Sequence, residues 1–167
     1  MLKRVLVVDD DPIQRRILEE SLKRSGYECR SAHSGEQALT LLEGPEAGAI
    51  AIVLLDLVMP GLDGMAVLER MKRIANSPPV IVQTAHGSID TAINAMRAGA
   101  VDFVIKPVAP ERLEVSIKNA LKIEALAVEI NRIKKQSVGK LTFDDLILRG
   151  EAMQRVIAYG RKAAGSN

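Results

Sequence analysis

Five short strand candidates recur along the first two thirds of the chain. They cover residues 5–8, 28–32, 51–55, 80–84 and 101–105, and the second run is the weakest. The stronger runs are apolar at nearly every position, which is typical of parallel strands covered on both faces. Amphipathic stretches lie between them. Strands that alternate with helices predict repeated βαβ units, and therefore an α/β fold in which helices cover both faces of one parallel sheet.

Residues that begin helices stand before the amphipathic stretches. Asp11 precedes Pro12, and Ser34 with Gln37 three positions later forms a capping box. Asp63 and Ser88 stand where the caps of the next two helices belong. Three glycines lie near the expected helix ends: Gly26, Gly44 and Gly99. Five strands and five helices therefore account for the chain up to about residue 125.

The last predicted helix begins at Pro110 and meets no stop signal before Gly139, so we expect it to run past the sheet. Its first part can pack on the sheet through Leu113, Ile117 and Leu121. Its second part carries four aliphatic residues at alternating spacings of three and four, named here the linker stripe: Ile123, Leu126, Ile130 and Ile133. This spacing predicts a short coiled-coil seam. The alternative is a helix that lies along its own domain.

Composition narrows the class of protein. A chain of 167 residues with 47% hydrophobic content can bury the core of one domain and carry an appendage. The formal charge of +2 gives no reason to expect nucleic acid or an anionic membrane as a partner. The one cysteine excludes an intrachain disulfide and suits a reducing compartment. Because neither a signal peptide nor an apolar stretch long enough for a bilayer is found, we expect a cytoplasmic protein.

Carboxylates follow two of the predicted strands. Asp9 and Asp10 follow the first strand, and Asp56 follows the third. In the flavodoxin-like strand order 2-1-3-4-5 these two strands are neighbours, and they border the crevice where doubly wound sheets bind ligands. Three carboxylates placed together repel one another, and Mg²⁺ relieves the repulsion by taking oxygen ligands. The alternative for a run of acids is turn and cap chemistry, which is the role expected of Asp11.

Two further side chains end strands at the same edge of the predicted sheet. Thr84 ends the fourth strand, and Lys106 follows the fifth. Each alone would be read as a surface residue. Together with the acids they supply what phosphoryl transfer to an aspartate requires. We expect Asp56 to attack and form an acyl phosphate, Lys106 and the cation to neutralise the transferred group, and Thr84 to donate a hydrogen bond to it.

Four motifs occur in a fitting order and spacing: DDDP at 9–12, LLDLVMPGLDG at 54–64, TAHGS at 84–88 and GAVDFVIKP at 99–107. Together they resemble the receiver domain of bacterial two-component response regulators, over residues 1–122. The resemblance implies that Asp56 is the phosphoacceptor and that a phosphohistidine of a sensor histidine kinase is the donor. It also implies that Asp10, Asp56 and the Val58 carbonyl bind Mg²⁺ directly, and that Asp9 assists through water.

The same resemblance implies how the phosphoryl group would be sensed. Lys106 would form a salt bridge, and Thr84 with the backbone of Ala85 would contact the phosphoryl oxygens. Phe103 occupies the aromatic switch position of the family, although as Phe it lacks the hydroxyl group of Tyr. A cis peptide bond is implied between Lys106 and Pro107.

The remainder of the chain resembles the junction that precedes the ATPase domain of NtrC-like activators of sigma-54-dependent transcription. On this basis residues 123–140 would be a linker helix, and residues 141–167 would begin a truncated AAA+ domain. The chain carries no G-x-x-x-x-G-K-[ST] motif and no recognisable helix-turn-helix. We therefore expect these residues neither to hydrolyse ATP nor to bind nucleic acid. The only enzymatic activity expected is self-phosphorylation from a phosphohistidine. The resemblance implies a homodimer through the last receiver helix and the linker, and contact with sigma-54 RNA polymerase only through further domains.

Three alternative functions share features with this sequence. An aspartyl phosphatase of the haloacid dehalogenase type would carry its nucleophile after the first strand in a D-x-D-x-[TV] loop, which is not found there. An FMN-binding flavodoxin would need a phosphate loop at the position of residues 9–11, where three aspartates would repel the phosphate. A stand-alone receiver that acts only through protein contacts remains the alternative to an activator with an ATPase output.

Overall fold

A computed structural model describes residues 3–85 and 89–138 of the chain. Five strands form the sheet: β1 (Arg4–Val8), β2 (Glu28–Ala32), β3 (Ile50–Asp56), β4 (Val80–Thr84) and β5 (Asp102–Ile105). All neighbouring strands are parallel, and their order is β2-β1-β3-β4-β5. The predicted α/β class and the predicted order 2-1-3-4-5 are both confirmed. Neighbours β1 and β3 lie where the strand order reverses, so their carboxyl ends border a crevice.

Five helices connect and follow the strands: α1 (Pro12–Arg24), α2 (Gly35–Glu43), α3 (Gly64–Met71), α4 (Ile89–Arg97) and α5 (Pro110–Val138). A short 3-10 helix, Ala47–Ala49, precedes β3 and was not predicted. The expected caps Asp11, Ser34 and Asp63 each accept a hydrogen bond from a backbone N–H in the first helical turn. The capping box at α2 differs in one bond, because the Gln37 side chain accepts from the N–H of His33 at 2.8 Å.

Two apolar layers enclose the sheet. On one face, α1 and α5 cover alternate strand residues, with Leu18, Leu22, Leu113 and Ile117 buried against Ile52 and Leu54. On the other face, α2, α3 and α4 cover the intervening strand residues, among them Val53 and Leu55. This burial on both faces is the reason that β1, β3 and β4 read as nearly continuous apolar runs.

The chain divides into two compact units, Met1–Glu124 and Ala125–Asn167. The first unit contains the whole sheet, and Leu113, Ile117 and Leu121 are buried as expected. The linker stripe is exposed by 50% or more at each of its four residues. The predicted cap Ser88, the predicted stop at Gly139 and the predicted ATPase segment at 141–167 lie outside the described residues. None of the helices in the described ranges combines the length and apolar character that crossing a bilayer requires.

Candidate functional site

The carboxyl ends of β1, β3 and β5 bring three of the predicted residues into direct contact. Lys106 follows β5, and its Nζ lies 2.6 Å from Asp9 Oδ2 and 2.7 Å from Asp56 Oδ2. Asp9 follows β1, and Asp56 is the last residue of β3. Residues far apart in sequence therefore meet because parallel strands end at one edge.

Asp9 and Asp10 have opposite environments although they are adjacent. Asp9 is fully buried, and its Oδ1 accepts a hydrogen bond from the Asp11 N–H at 2.9 Å while Oδ2 accepts from Lys106. Asp10 is exposed. Asp56 is 5% exposed, and its Oδ1 accepts from the N–H of Val58 at 3.1 Å. Asp10 is therefore the carboxylate of the three that faces water, whereas the other two are held in place by donors.

The environment of Lys106 keeps its side chain charged. Burial opposes the charge, but the hydrogen bonds to Asp56 and Asp9 and their negative charges outweigh that effect and raise the pKa of the ammonium group. Its pairs with the two acids are charge-assisted hydrogen bonds in a largely buried position, where they are stronger than exposed pairs.

The carboxylates fit a divalent cation. Oxygen atoms of Asp9, Asp10 and Asp56 lie within 4.8 Å of one another, and hard oxygen ligands are those that Mg²⁺ prefers. Three carboxylates with one ammonium group leave a formal charge of −2, which one Mg²⁺ would balance. The acids line an open crevice of about 510 Å³ that has room for a cation and its waters. The predicted acidic cluster is therefore present.

The remaining predicted residues surround this cluster. Val58 is 65% exposed in the loop after β3, and Ala85 and Pro107 line the crevice. Thr84 ends β4 and is buried. Phe103 is half-buried on β5 and packs against the apolar layer formed by α2, α3 and α4. The peptide bond between Lys106 and Pro107 is cis, as the resemblance implied.

Two residues of α1 belong to the site and were not predicted. The Arg15 guanidinium donates a hydrogen bond to the backbone oxygen of Asp9, and Gln14 lines the crevice. Both lie in the first turn of a helix capped by Asp11, which immediately follows the acids. Helical spacing from that cap was the signal that could have placed them over the end of β1.

Residues 5–118 match the family described as the response regulator receiver domain. The chain belongs to this family. The matched range contains all five strands except the first residue of β1, and it contains every residue of the acidic cluster. The whole linker stripe lies outside it.

Two named bacterial regulators are similar to this chain in sequence. The chain is 30% identical over 163 residues to the regulatory protein AtoC of Escherichia coli strain K12, covering 98% of this chain and 35% of AtoC. It is 38% identical over 117 residues to the transcriptional regulatory protein ZraR of the same strain, covering 70% of this chain and 26% of ZraR. The chain therefore spans well under two thirds of these relatives.

Two solved structures resemble the fold. NtrX from Brucella abortus superposes with a TM-score of 0.73 at 34% identity, over 82% of this chain and 30% of NtrX. A response regulator receiver domain protein from Clostridium thermocellum gives a TM-score of 0.71 at 33% identity, over 75% of this chain and 99% of that protein. The match to the Clostridium thermocellum protein covers nearly the whole of that protein, whereas the match to NtrX covers under a third of a longer chain.

Proposed function

We propose that this receiver domain accepts a phosphoryl group on Asp56 from the phosphohistidine of a sensor histidine kinase, with Mg²⁺ as cofactor. The observation that carries the proposal is the contact of Lys106 with both Asp9 and Asp56 at the crevice between β1 and β3. Asp10, Asp56 and the Val58 carbonyl would hold the cation, and Asp9 would assist. Bound Mg²⁺ would supply positive charge that offsets the oxygens of the transferred group.

The chain's own residues account for the transfer. A carboxylate oxygen of Asp56 attacks phosphorus, so that an O–P bond forms while the N–P bond to the imidazole breaks and the imidazole leaves with the electron pair. Lys106 stays charged and pairs with the phosphoryl oxygens, while Thr84 and the Ala85 N–H donate hydrogen bonds to them. The Val58 N–H holds the other oxygen of Asp56 and thereby orients the nucleophile.

The response to phosphorylation would pass from Thr84 to Phe103. Movement of Thr84 towards the phosphoryl group would open space that Phe103 enters from its half-buried position. β5, which carries Phe103, is followed directly by α5. A change at this strand would therefore reach a homodimer formed through α5 and the linker stripe.

The domain organisation extends this proposal. We assign residues 1–122 to the receiver, 123–140 to the linker helix and 141–167 to the start of an AAA+ ATPase domain of a sigma-54-dependent activator. Its support is the alignment with AtoC, which continues past the receiver over 163 residues, and the exposed linker stripe. A stand-alone receiver remains the second candidate because the family match itself ends at residue 118.

Acetyl phosphate tests the assignment of Asp56. With Mg²⁺ present, intact-mass analysis should detect one added phosphoryl group on the wild-type chain and none on Asp56→Asn. Asp63→Asn is the matched control, because Asp63 caps α3 in the same loop and Asn is an equally good cap. Equal labelling of Asp56→Asn and wild type would show that another residue is the acceptor.

A further inference from the structure

The loop between β3 and α3, residues 57–63, contributes Val58 to the lining of the crevice, and the Val58 carbonyl is one of the proposed ligands of the cation. Leu57 and Met59 are buried on either side of Val58 and anchor the first half of this loop. At its base, the Leu57 N–H donates to the Gln83 oxygen at 3.0 Å, and the Leu57 oxygen accepts from the N–H of Gly64 at 3.1 Å. The second half of the loop depends on a different contact.

That contact comes from the beginning of α2. The N–H of Leu62 donates a hydrogen bond to Glu36 Oε1 at 3.1 Å. Gly61 has a φ of +75°, and a Cβ placed on it would lie 3.3 Å from the same carboxylate oxygen. The Glu36 carboxylate therefore lies against the backbone of two successive loop residues.

The backbone of α2 also approaches the loop closely. A Cβ on Gly35 would lie 2.6 Å from the Leu62 oxygen and 2.6 Å from Val67 Cγ2. A side chain at Gly35 would push the helix and the loop apart. The absence of a Cβ there allows the short distance that Glu36 needs to reach the Leu62 N–H.

We propose that Glu36 is a positioning residue for the phosphorylation site, holding Leu62 so that the loop presents the Val58 carbonyl to the cation. This inference rests on the proposed function. Glu36 contacts neither the acidic cluster nor Lys106 and acts only through the loop. Its effect is therefore on cation affinity, not on the chemistry of Asp56.

The Glu36 carboxylate is ionised at neutral pH. Its own backbone N–H, the Ser34 hydroxyl and the Leu62 N–H each donate to it and lower its pKa. A competing explanation for any effect of Glu36 is its place in the first turn of α2, where a negative charge stabilises a helix. Substitutions can separate the two roles.

The positioning role and the helix-dipole role predict different effects for three substitutions of Glu36. Glu36→Gln keeps the reach and an acceptor oxygen but loses the charge, whereas Glu36→Asp keeps the charge and loses a methylene of reach. Positioning predicts that Gln behaves like wild type and that Asp behaves like Glu36→Ala. A helix-dipole role predicts instead that Asp behaves like wild type and that Gln behaves like Glu36→Ala. Glu111→Ala is the matched control, because Glu111 is also exposed and is also the second residue of a helix.

The measurement is the Mg²⁺ concentration that half-saturates acyl phosphate formation from acetyl phosphate, with calorimetric Mg²⁺ binding as a readout independent of labelling. We expect Glu36→Ala to raise the half-saturating concentration roughly three- to tenfold, the scale of one hydrogen bond. Labelling at saturating Mg²⁺ should be unchanged. Hydrogen exchange at the Leu62 amide should quicken in Glu36→Ala and Glu36→Asp, and stay slow in Glu36→Gln.

The outcomes are separable. If the wild type binds Mg²⁺ and is labelled, but Glu36→Ala resembles Glu111→Ala in both readouts, the positioning role is wrong and the proposed function stands. Impaired Glu36→Gln with normal Glu36→Asp would also overturn it, in favour of the helix dipole. A wild-type chain that neither binds Mg²⁺ nor is labelled would overturn the inference together with the proposed function.

Discussion

Replacing Lys106 by Met tests the electrostatic account of the site most directly. Met keeps most of the aliphatic length of Lys and removes the ammonium group that pairs with Asp9 and Asp56. The side chains of these two acids are 0% and 7% exposed, so both would be left with poorly compensated charge. Loss of one partner from a buried pair costs about 3–5 kcal/mol. Since Lys106 itself is 14% exposed, we expect a loss near the lower end, about 3 kcal/mol.

Urea unfolding followed by circular dichroism measures this loss, because the chain has no Trp for fluorescence. Lys118→Met is the matched control: it breaks an exposed pair with Glu114 on α5 and should cost much less than Lys106→Met. In EDTA, Lys106→Met should unfold at a lower urea concentration than either the control or the wild type. If it unfolds together with the wild type, Lys106 does not compensate the acids as described.

Added Mg²⁺ provides a second arm of the same experiment. A ligand at about 100 times its Kd stabilises the native state by about 2.7 kcal/mol. Without Lys106 the three carboxylates carry a formal charge of −3 instead of −2, so the variant should gain more from Mg²⁺ than the wild type. The difference in the free energy of unfolding between Lys106→Met and the wild type should therefore become smaller on addition of Mg²⁺. A constant difference would contradict a shared role of Lys106 and the cation.

Three further predictions concern packing, assembly and thiol reactivity. Gly64→Ala should destabilise the domain by about 1–3 kcal/mol in urea unfolding, because the added Cβ would clash with a backbone oxygen of β3. The control is Gly48→Ala, which should be nearly neutral because the space around Gly48 is open. Leu126→Asp with Ile130→Asp should convert a dimer to a monomer in sedimentation, and a dimeric double variant would refute the linker stripe as the interface. Burial raises the pKa of Cys29 to about 11, so in the folded chain its alkylation at pH 8 should be at least about tenfold slower than in urea. Equal rates would refute the buried thiol.

Local patterns in the sequence were sufficient to predict most of the fold. The strand candidates matched all five strands to within a residue or two. The clearest were β1, β3 and β4, since strands buried on both faces have few polar positions. Helix starts at Pro12, Gly35 and Gly64 followed from caps that need only the next three residues. The short helix Ala47–Ala49 was missed because a single 3-10 turn carries no periodicity.

The candidate site was predictable because the strand order determines which residues lie near one another. Once the strand order is known, residues that end β1, β3, β4 and β5 must meet at one edge. The contact of Glu36 with Leu62 had no such signal. It joins residues 26 positions apart, and an acid in the first turn of a helix is explained by the helix dipole alone. Contacts between a helix start and a loop depend on the packing angle, which local sequence does not determine.

Asp9 and Asp10 show how one backbone step separates two roles at this edge. Successive side chains of an extended segment point in opposite directions, so one acid is buried beneath the crevice and the other faces water. The buried acid has both oxygens engaged, one by the Asp11 N–H and one by Lys106. Its two oxygens therefore help to position Lys106, and of these two adjacent acids the exposed one would offer the proposed cation the oxygens that are not already hydrogen-bonded. This division would allow the cluster to hold a lysine in place and also to bind the proposed divalent ion.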